Sequence, residues 1–184
     1  PRLDSLLSSG AAVQFDDVVS AKPNTQGSIA AMMSIGESRA GGKWYDDPIL
    51  IPLLRSAGYY TFWLSAQEKL GLAVQNVTAI AKLSDSTLFV FRGMDDVVLP
   101  NLMQRTEHQN LFEVVHLSGS HVSYQDRYPS EFAKFNSENL PSHYDESKDA
   151  VVAHYVNSLY YTDYILGEIE RKYANEDAII IYLS

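Results

Sequence analysis

The feature that most constrains the fold is an alternation along the chain. Short β-branched and aromatic runs (Tyr59 to Ser65, Ser86 to Phe91, Leu111 to Leu117, Ala178 to Leu183) are separated by stretches with helical spacing. Strands joined by helices must cross over, and crossover connections make a mostly parallel sheet with helices on both faces. The expected fold is α/β, a three-layer α/β/α sandwich. In such folds, sites gather at the carboxyl ends of the strands.

The remaining elements follow from local signals. Leu3 to Gly10 reads as a short helix closed by its glycine, and Val13 to Ser20 as a strand. Pro48 to Ala57 reads as a helix with proline in its first turn and Gly58 after its end. Gln75 to Leu83 and Asp95 to His108 read as helices. Asp95 and Asp96 suit a positive helix N-terminus. Asp149 to Tyr173 reads as a long helix, on the spacing of Val152, Tyr155, Val156, Leu159, Ile165 and Ile169. Ser34 to Asp47, Ser118 to Pro129 and Phe132 to Asp149 are polar and read as loops.

The 184 residues suffice for one domain with a sizeable core. With 14 Lys plus Arg against 23 Asp plus Glu, the formal charge is −9 and no basic patch appears, which excludes a general nucleic-acid binder. There is no cysteine, so neither a disulfide framework nor a cysteine zinc site is available. No run reaches the apolar length of a membrane span, and no signal-peptide pattern is present. The chain opens at Pro1-Arg-Leu-Asp4 and closes inside an apolar strand-like run at Ser184. The expectation is a piece truncated at both ends.

One stretch stands out for chemistry. Lys22-Pro23-Asn24 breaks the first strand, and a small-residue helical run, Gly27 to Ser34, follows. Thr25 therefore falls at or just before a helix N-terminus, where free N–H groups and the helix dipole favour an anion. Its hydroxyl either caps the helix or, with a metal to lower its pKa, attacks phosphorus. His121, in the Gly/Ser loop of His116-Leu-Ser-Gly-Ser-His121, is available for a phosphate or a metal, or is a solvated loop histidine. Arg127 either holds a phosphate or pairs with a nearby carboxylate. Gly36-Glu-Ser-Arg39 reads as a loop. Asn157, Tyr160, Tyr161 and Asp163 read as packing and polar-satisfaction residues of the long helix. His143 and His154 carry no partner pattern. No Ser-His-Asp order, Gly-rich phosphate loop or glycosidase carboxylate pair stands out.

Together these pieces resemble the bacterial phosphoethanolamine transferases of the sulfatase and alkaline-phosphatase superfamily. The likeness rests on Pro1-Arg-Leu-Asp4, Val18-Val-Ser20, Thr25, Ser28, Met32 and Ser34. It continues through Trp63-Leu-Ser-Ala-Gln67, His116 to His121 with Arg127-Tyr-Pro129, and Asn157 to Asp163. It spans nearly the whole chain. The resemblance implies an alkaline-phosphatase-like fold and one partial sulfatase-like catalytic domain over residues 1–184. It implies Thr25 as the nucleophile and as a ligand of a catalytic Zn²⁺. His121 would contact the donor phosphate or a second zinc. Gln67 would lie near the phosphoethanolamine, with Ala66 standing where many relatives carry Asn.

The resemblance further implies phosphatidylethanolamine as donor and lipid A, lipopolysaccharide core or a periplasmic glucan as acceptor. It places the parent protein at the periplasmic face of the inner membrane, anchored by helices outside this chain, and as a monomer. The family's first zinc-binding Glu precedes the nucleophile, whereas Glu37 follows it and is not that ligand. The family's Asp-His zinc pair follows the strand that here ends at Ser184. The expectation is a piece of the soluble domain without most zinc ligands, which binds zinc weakly or not at all and is inactive by itself. A formylglycine sulfatase is disfavoured, because Asn24-Thr-Gln-Gly-Ser28 lacks its x-Pro-x-Arg pattern. A phosphoglycerol transferase of the lipoteichoic-acid type also uses a Thr, and Arg127-Tyr-Pro129 favours the phosphoethanolamine enzymes over it. A non-catalytic α/β binding domain is the reading from a different class.

Overall fold

A computed structural model describes residues 1–35, 43–69, 71, 75–91, 93–103, 108, 110–140 and 147–184. The chain packs as two compact units. One, the sheet unit, comprises Phe15–Phe91 and Asn101–His116. The other, the long-helix unit, comprises Pro1–Gln14, Arg92–Pro100 and Leu117–Ser184.

The sheet unit holds α2 (Thr25–Met33), α3 (Leu50–Ser56), β1 (Tyr60–Ser65), α4 (Gln75–Ala81), β2 (Ser86–Phe89) and β3 (Leu111–His116). The strands form a parallel sheet in the order β2-β1-β3. The central strand is shut off on both faces: Thr61, Trp63, Leu64 and Ser65 are fully buried and Phe62 nearly so. That is the behaviour of a parallel strand covered on both sides. Ile29 and Ala30 of α2, Ile51 of α3, and Val77, Ile80 and Ala81 of α4 close around Trp63. Gly58, at φ +87°, makes the left-handed turn that ends α3, and the Tyr59 N–H then donates to the Leu54 carbonyl. At the amino end of β1, the Asp85 carboxylate accepts from the Thr61 N–H and hydroxyl (2.9 and 2.8 Å) and from Arg55 Nε (2.7 Å). Burial pushes the Asp85 carboxyl up, and these donors with the Arg55 charge more than reverse it, so its pKa lies below the usual value.

The long-helix unit is built on α5 (Asp149–Tyr173), with the bounds the periodicity predicts. α1 (Arg2–Ser8) packs against it. The Asp163 carboxylate accepts from the N–H groups of Arg2 (2.6 Å) and Leu3 (2.9 Å), satisfying two orphan donors of α1. Arg2 reaches on to Glu170 at 2.6 Å. Asn157 is buried and fully used. Its Oδ1 accepts from the Lys134 and Phe135 N–H groups (2.9 and 2.8 Å), and its Nδ2 donates to the Phe135 carbonyl (2.9 Å). The polar-satisfaction role expected of Asn157 and Asp163 is what they perform.

Several expectations are corrected. Residues 13–20 are not a strand: Val13 and Phe15 are each 77% exposed and Val19 is 85% exposed. Residues 178–183 are likewise irregular, with Ile179 91% exposed. Both runs have β-forming composition but pair with no strand among the described residues, and a strand is stabilised by its partner ladder rather than by composition. Of the helix expected from Asp95 to His108, residues 104–107 lie outside the described residues, and Asp95–Asn101 is a 3₁₀ segment containing Pro100. Proline supplies no N–H and disfavours helical geometry before it. His108 instead stacks on Tyr60, ring centres 3.6 Å apart. The buried stripe of α5 runs through Ala153, Asn157, Tyr161, Ile165 and Ile169, while Tyr155 and Leu159 are exposed. Gly36 to Arg39 and His143 lie outside the described residues.

Candidate active site

In the sheet unit, Thr25 is the first residue of α2 and is exposed. The cap is the residue before it. Asn24 is extended (φ −146°, ψ 154°), and its Oδ1 accepts from the Gly27 N–H at 2.8 Å. Capping is therefore done without Thr25, whose hydroxyl makes no hydrogen bond among the described residues. The approach to the helix is folded tightly on it. The Ser20 and Ser28 hydroxyls both donate to the Lys22 carbonyl at 2.8 Å and lie 2.8 Å from each other. A Cβ on Gly27 would meet Lys22 Cβ and Cγ at 2.8 Å, so only glycine admits this close approach. Gln26 ties the start of α2 to that of α4 by accepting from the Asn76 N–H at 3.1 Å.

Gln67 follows the carboxyl end of β1 and is half-buried. Its N–H donates to the Ser65 hydroxyl oxygen at 3.1 Å, and that hydroxyl lies 3.2 Å from His116 Nδ1. Ser65 and His116 are paired in register across β1 and β3. Burial holds the His116 imidazole at a pKa of about 4, well below its ordinary value. It is thus a neutral ring at physiological pH.

In the long-helix unit, His121 is exposed on its loop, with Nδ1 2.8 Å from the Val122 carbonyl. A neutral ring makes that bond only with the proton on Nδ1, which leaves the Nε2 lone pair free. Arg127 Nε and Nη2 donate to the His121 and Val122 carbonyls at 3.2 and 3.1 Å. Two of the five Arg127 N–H groups thus go to this loop. Asp95, buried at 5% exposure, accepts from the Ser118 N–H (2.8 Å) and the Gly119 N–H (2.7 Å). Burial pushes the Asp95 carboxyl up, against the pull of these two N–H groups and the Arg127 charge.

The sequence reading missed three roles: Asn24 as the cap, the Ser65–His116 contact, and Asp95 as an acceptor rather than a helix-start charge. The first two were signalled, by the side-chain type at the helix start and by two polar residues at neighbouring strand ends. Nothing local signalled the third. Thr25 and Gln67 belong to the sheet unit and His121 to the long-helix unit. Among the described residues, no group of three or more His, Asp or Glu could hold a metal ion. A zinc site needs about four donors, so the donors described here do not make one by themselves. No helix among the described residues is long and apolar enough to cross a membrane.

Across residues 1–184 the chain matches the sulfatase family model. The chain belongs to the sulfatase family. Its similarity to curated sulfatase-family relatives is modest and covers a fraction of each. It is 34% identical over 143 residues to the putative transferase YhbX of Escherichia coli, covering 76% of this chain and 24% of that protein. It is 23% identical over its full length to the phosphoethanolamine transferase EptC of Escherichia coli, covering 34% of that protein. The phosphoethanolamine transferase EptA of Helicobacter pylori is 28% identical over the full chain, which covers 36% of it.

Among solved structures, the C-terminal periplasmic domain of Escherichia coli EptC in complex with zinc superimposes with a TM-score of 0.81 at 22% identity. That match covers 94% of this chain and 52% of the other. The corresponding Campylobacter jejuni domain gives 0.72 at 24% identity, covering 93% and 55%. These likenesses show the α/β fold expected from the strand–helix alternation, in the alkaline-phosphatase-like form that the family resemblance implies.

Proposed function

We propose that the protein to which this chain belongs transfers phosphoethanolamine from phosphatidylethanolamine to a lipopolysaccharide or periplasmic glucan acceptor, with Thr25 as the nucleophile. The observation that carries the reading is the Thr25 hydroxyl. It is exposed and unbonded at the start of a nine-residue helix that another side chain caps. A hydroxyl there faces the partial positive charge of the helix N-terminus, which favours an approaching phosphate. The relatives named as phosphoethanolamine transferases support the reaction class.

In the reading, the Thr25 Oγ–P bond forms as the P–O bond to diacylglycerol breaks. The hydroxyl proton leaves, and the diacylglycerol oxygen takes one up. The acceptor O–P bond then forms as the Thr25 Oγ–P bond breaks, the acceptor hydroxyl gives up its proton and Thr25 Oγ takes one up, so one difficult transfer becomes two easier ones. His121 is assigned to the donor phosphate, to which Nε2 donates only when it too carries a proton, or to a second zinc, which would take the Nε2 lone pair. Gln67 is assigned to the phosphoethanolamine headgroup. A zinc ion with Thr25 Oγ among its ligands would lower the hydroxyl pKa and offset charge on the phosphoryl group. Its remaining ligands are assigned outside the described residues, with the zinc complex of the Escherichia coli EptC domain as support for the metal. The two units are read as parts of one catalytic domain of a monomer at the periplasmic face of the inner membrane.

The test is release of diacylglycerol from phosphatidylethanolamine vesicles by the intact parent protein. Thr25→Ala should abolish it, and Thr25→Ser should retain a fraction. Wild-type release by Thr25→Ala would refute the reading.

A further inference from the structure

We infer that Asp95 is a positioning residue for His121: its carboxylate fixes the turn that opens the His121 loop, and so sets where the imidazole Nε2 is presented. The inference rests on the proposed role of His121 at the donor phosphate or a second zinc. The loop lacks regular secondary structure from Leu117 to Ser123, so no backbone ladder holds it. Two charged side chains do so. Asp95 accepts from successive N–H groups, one on each oxygen: Ser118 to Oδ1 at 2.8 Å and Gly119 to Oδ2 at 2.7 Å. Gly119 sits at φ +56°, the left-handed conformation that turns consecutive amides toward one anion. Arg127 takes the carbonyl side, donating to His121 and Val122. The imidazole is then oriented by its own bond to the Val122 carbonyl, which Arg127 shares.

A buried carboxylate is tolerated only with such partners. Asp95 therefore locks the turn in one geometry rather than merely favouring it. Asn at this position would offer one oxygen and one amide group to two N–H donors, losing one bond and opposing two donors.

The experiment uses the intact parent protein. Asp95→Asn is compared with Asp163→Asn, which removes a similar carboxylate bound to two backbone N–H groups at α1. The expected result is a shift of the His121 ring resonances by NMR and faster exchange of the Ser118 and Gly119 amides in Asp95→Asn. The kcat/KM for transfer should fall at least about tenfold, and Asp163→Asn should change none of these. Unmoved ring resonances and unmoved amide exchange in Asp95→Asn overturn the proposal, as do equal effects from both variants. A moved ring with unchanged kinetics upholds the positioning and refutes instead the assignment of His121 to the reacting site. Should Asp95→Asn fail to fold, Gly119→Ala strains the same turn from its other side and is read by the same criteria.

Discussion

Acidification should destabilise the sheet unit through His116, and the size of the effect follows from its surroundings. The ring sits at the end of β3, against the Ser65 hydroxyl at 3.2 Å and edge-on to the fully buried Trp63. Burial lowers its pKa from 6.5 to about 4. In the unfolded chain the ring takes up a proton at its ordinary pKa, whereas in the folded chain it resists until about pH 4. Between these values the unfolded state binds more protons. Stability is therefore complete above the unfolded pKa and is lost as pH falls toward the folded one. Lowering the pH from about 7 to about 5 should cost at most about 2 kcal/mol through this group.

Two carboxyls titrate nearby with other signs. Asp85, with its lowered pKa, keeps its contribution until pH falls below the ordinary carboxyl range. Asp95, with its raised pKa, gains stability as pH falls through its folded value. A single variant separates them: His116→Asn retains a polar partner for Ser65 but does not titrate. Urea unfolding of both proteins across that pH range should give a wild-type curve that falls by up to about 2 kcal/mol more than the variant's. Parallel curves would refute the claim that His116 is held neutral by burial.

Other outcomes follow from particular contacts. Asn157→Ala strands the N–H groups of Lys134 and Phe135 and should cost about 2–4 kcal/mol in urea unfolding. Gly27→Ala forces Lys22 away from the start of α2, so it should lower transfer by the parent protein while leaving most of its stability, read as kcat against Tm. Asn24→Ala should destabilise by about 1 kcal/mol through loss of the cap, measured by the same denaturation.

How much of this was legible from residues alone varies with the range of the interaction. The long helix was readable to its bounds because its signal is local and repeated over many turns. Its buried face was misjudged because Asn157 and Tyr161 look polar in sequence. Asn157 is satisfied by backbone groups more than twenty residues earlier, and Tyr161 meets the Phe132 ring edge-on while its hydroxyl accepts from the Asp96 N–H. β1, β2 and β3 were readable because their apolar runs do find partners. Residues 13–20 and 178–183 carry the same composition without one, and composition cannot show a missing neighbour. At the site, the helix start at Thr25 was readable from Pro23 and the small residues after it. That Asn24 performs the capping is a matter of one residue's register, within the usual uncertainty of helix ends. The Asp95 anchor was invisible because its two partners lie more than twenty residues downstream and are backbone amides.

The account stands on the identity of the nucleophile, and mass spectrometry reads that directly. The intact parent protein is incubated with phosphatidylethanolamine, quenched in acid before an acceptor is added, and digested. The predicted result is a phosphoethanolamine adduct on the peptide carrying Thr25, localised to that residue and absent from Thr25→Ala. An active protein whose adduct lies on another side chain, or which transfers with no adduct at all, would contradict it.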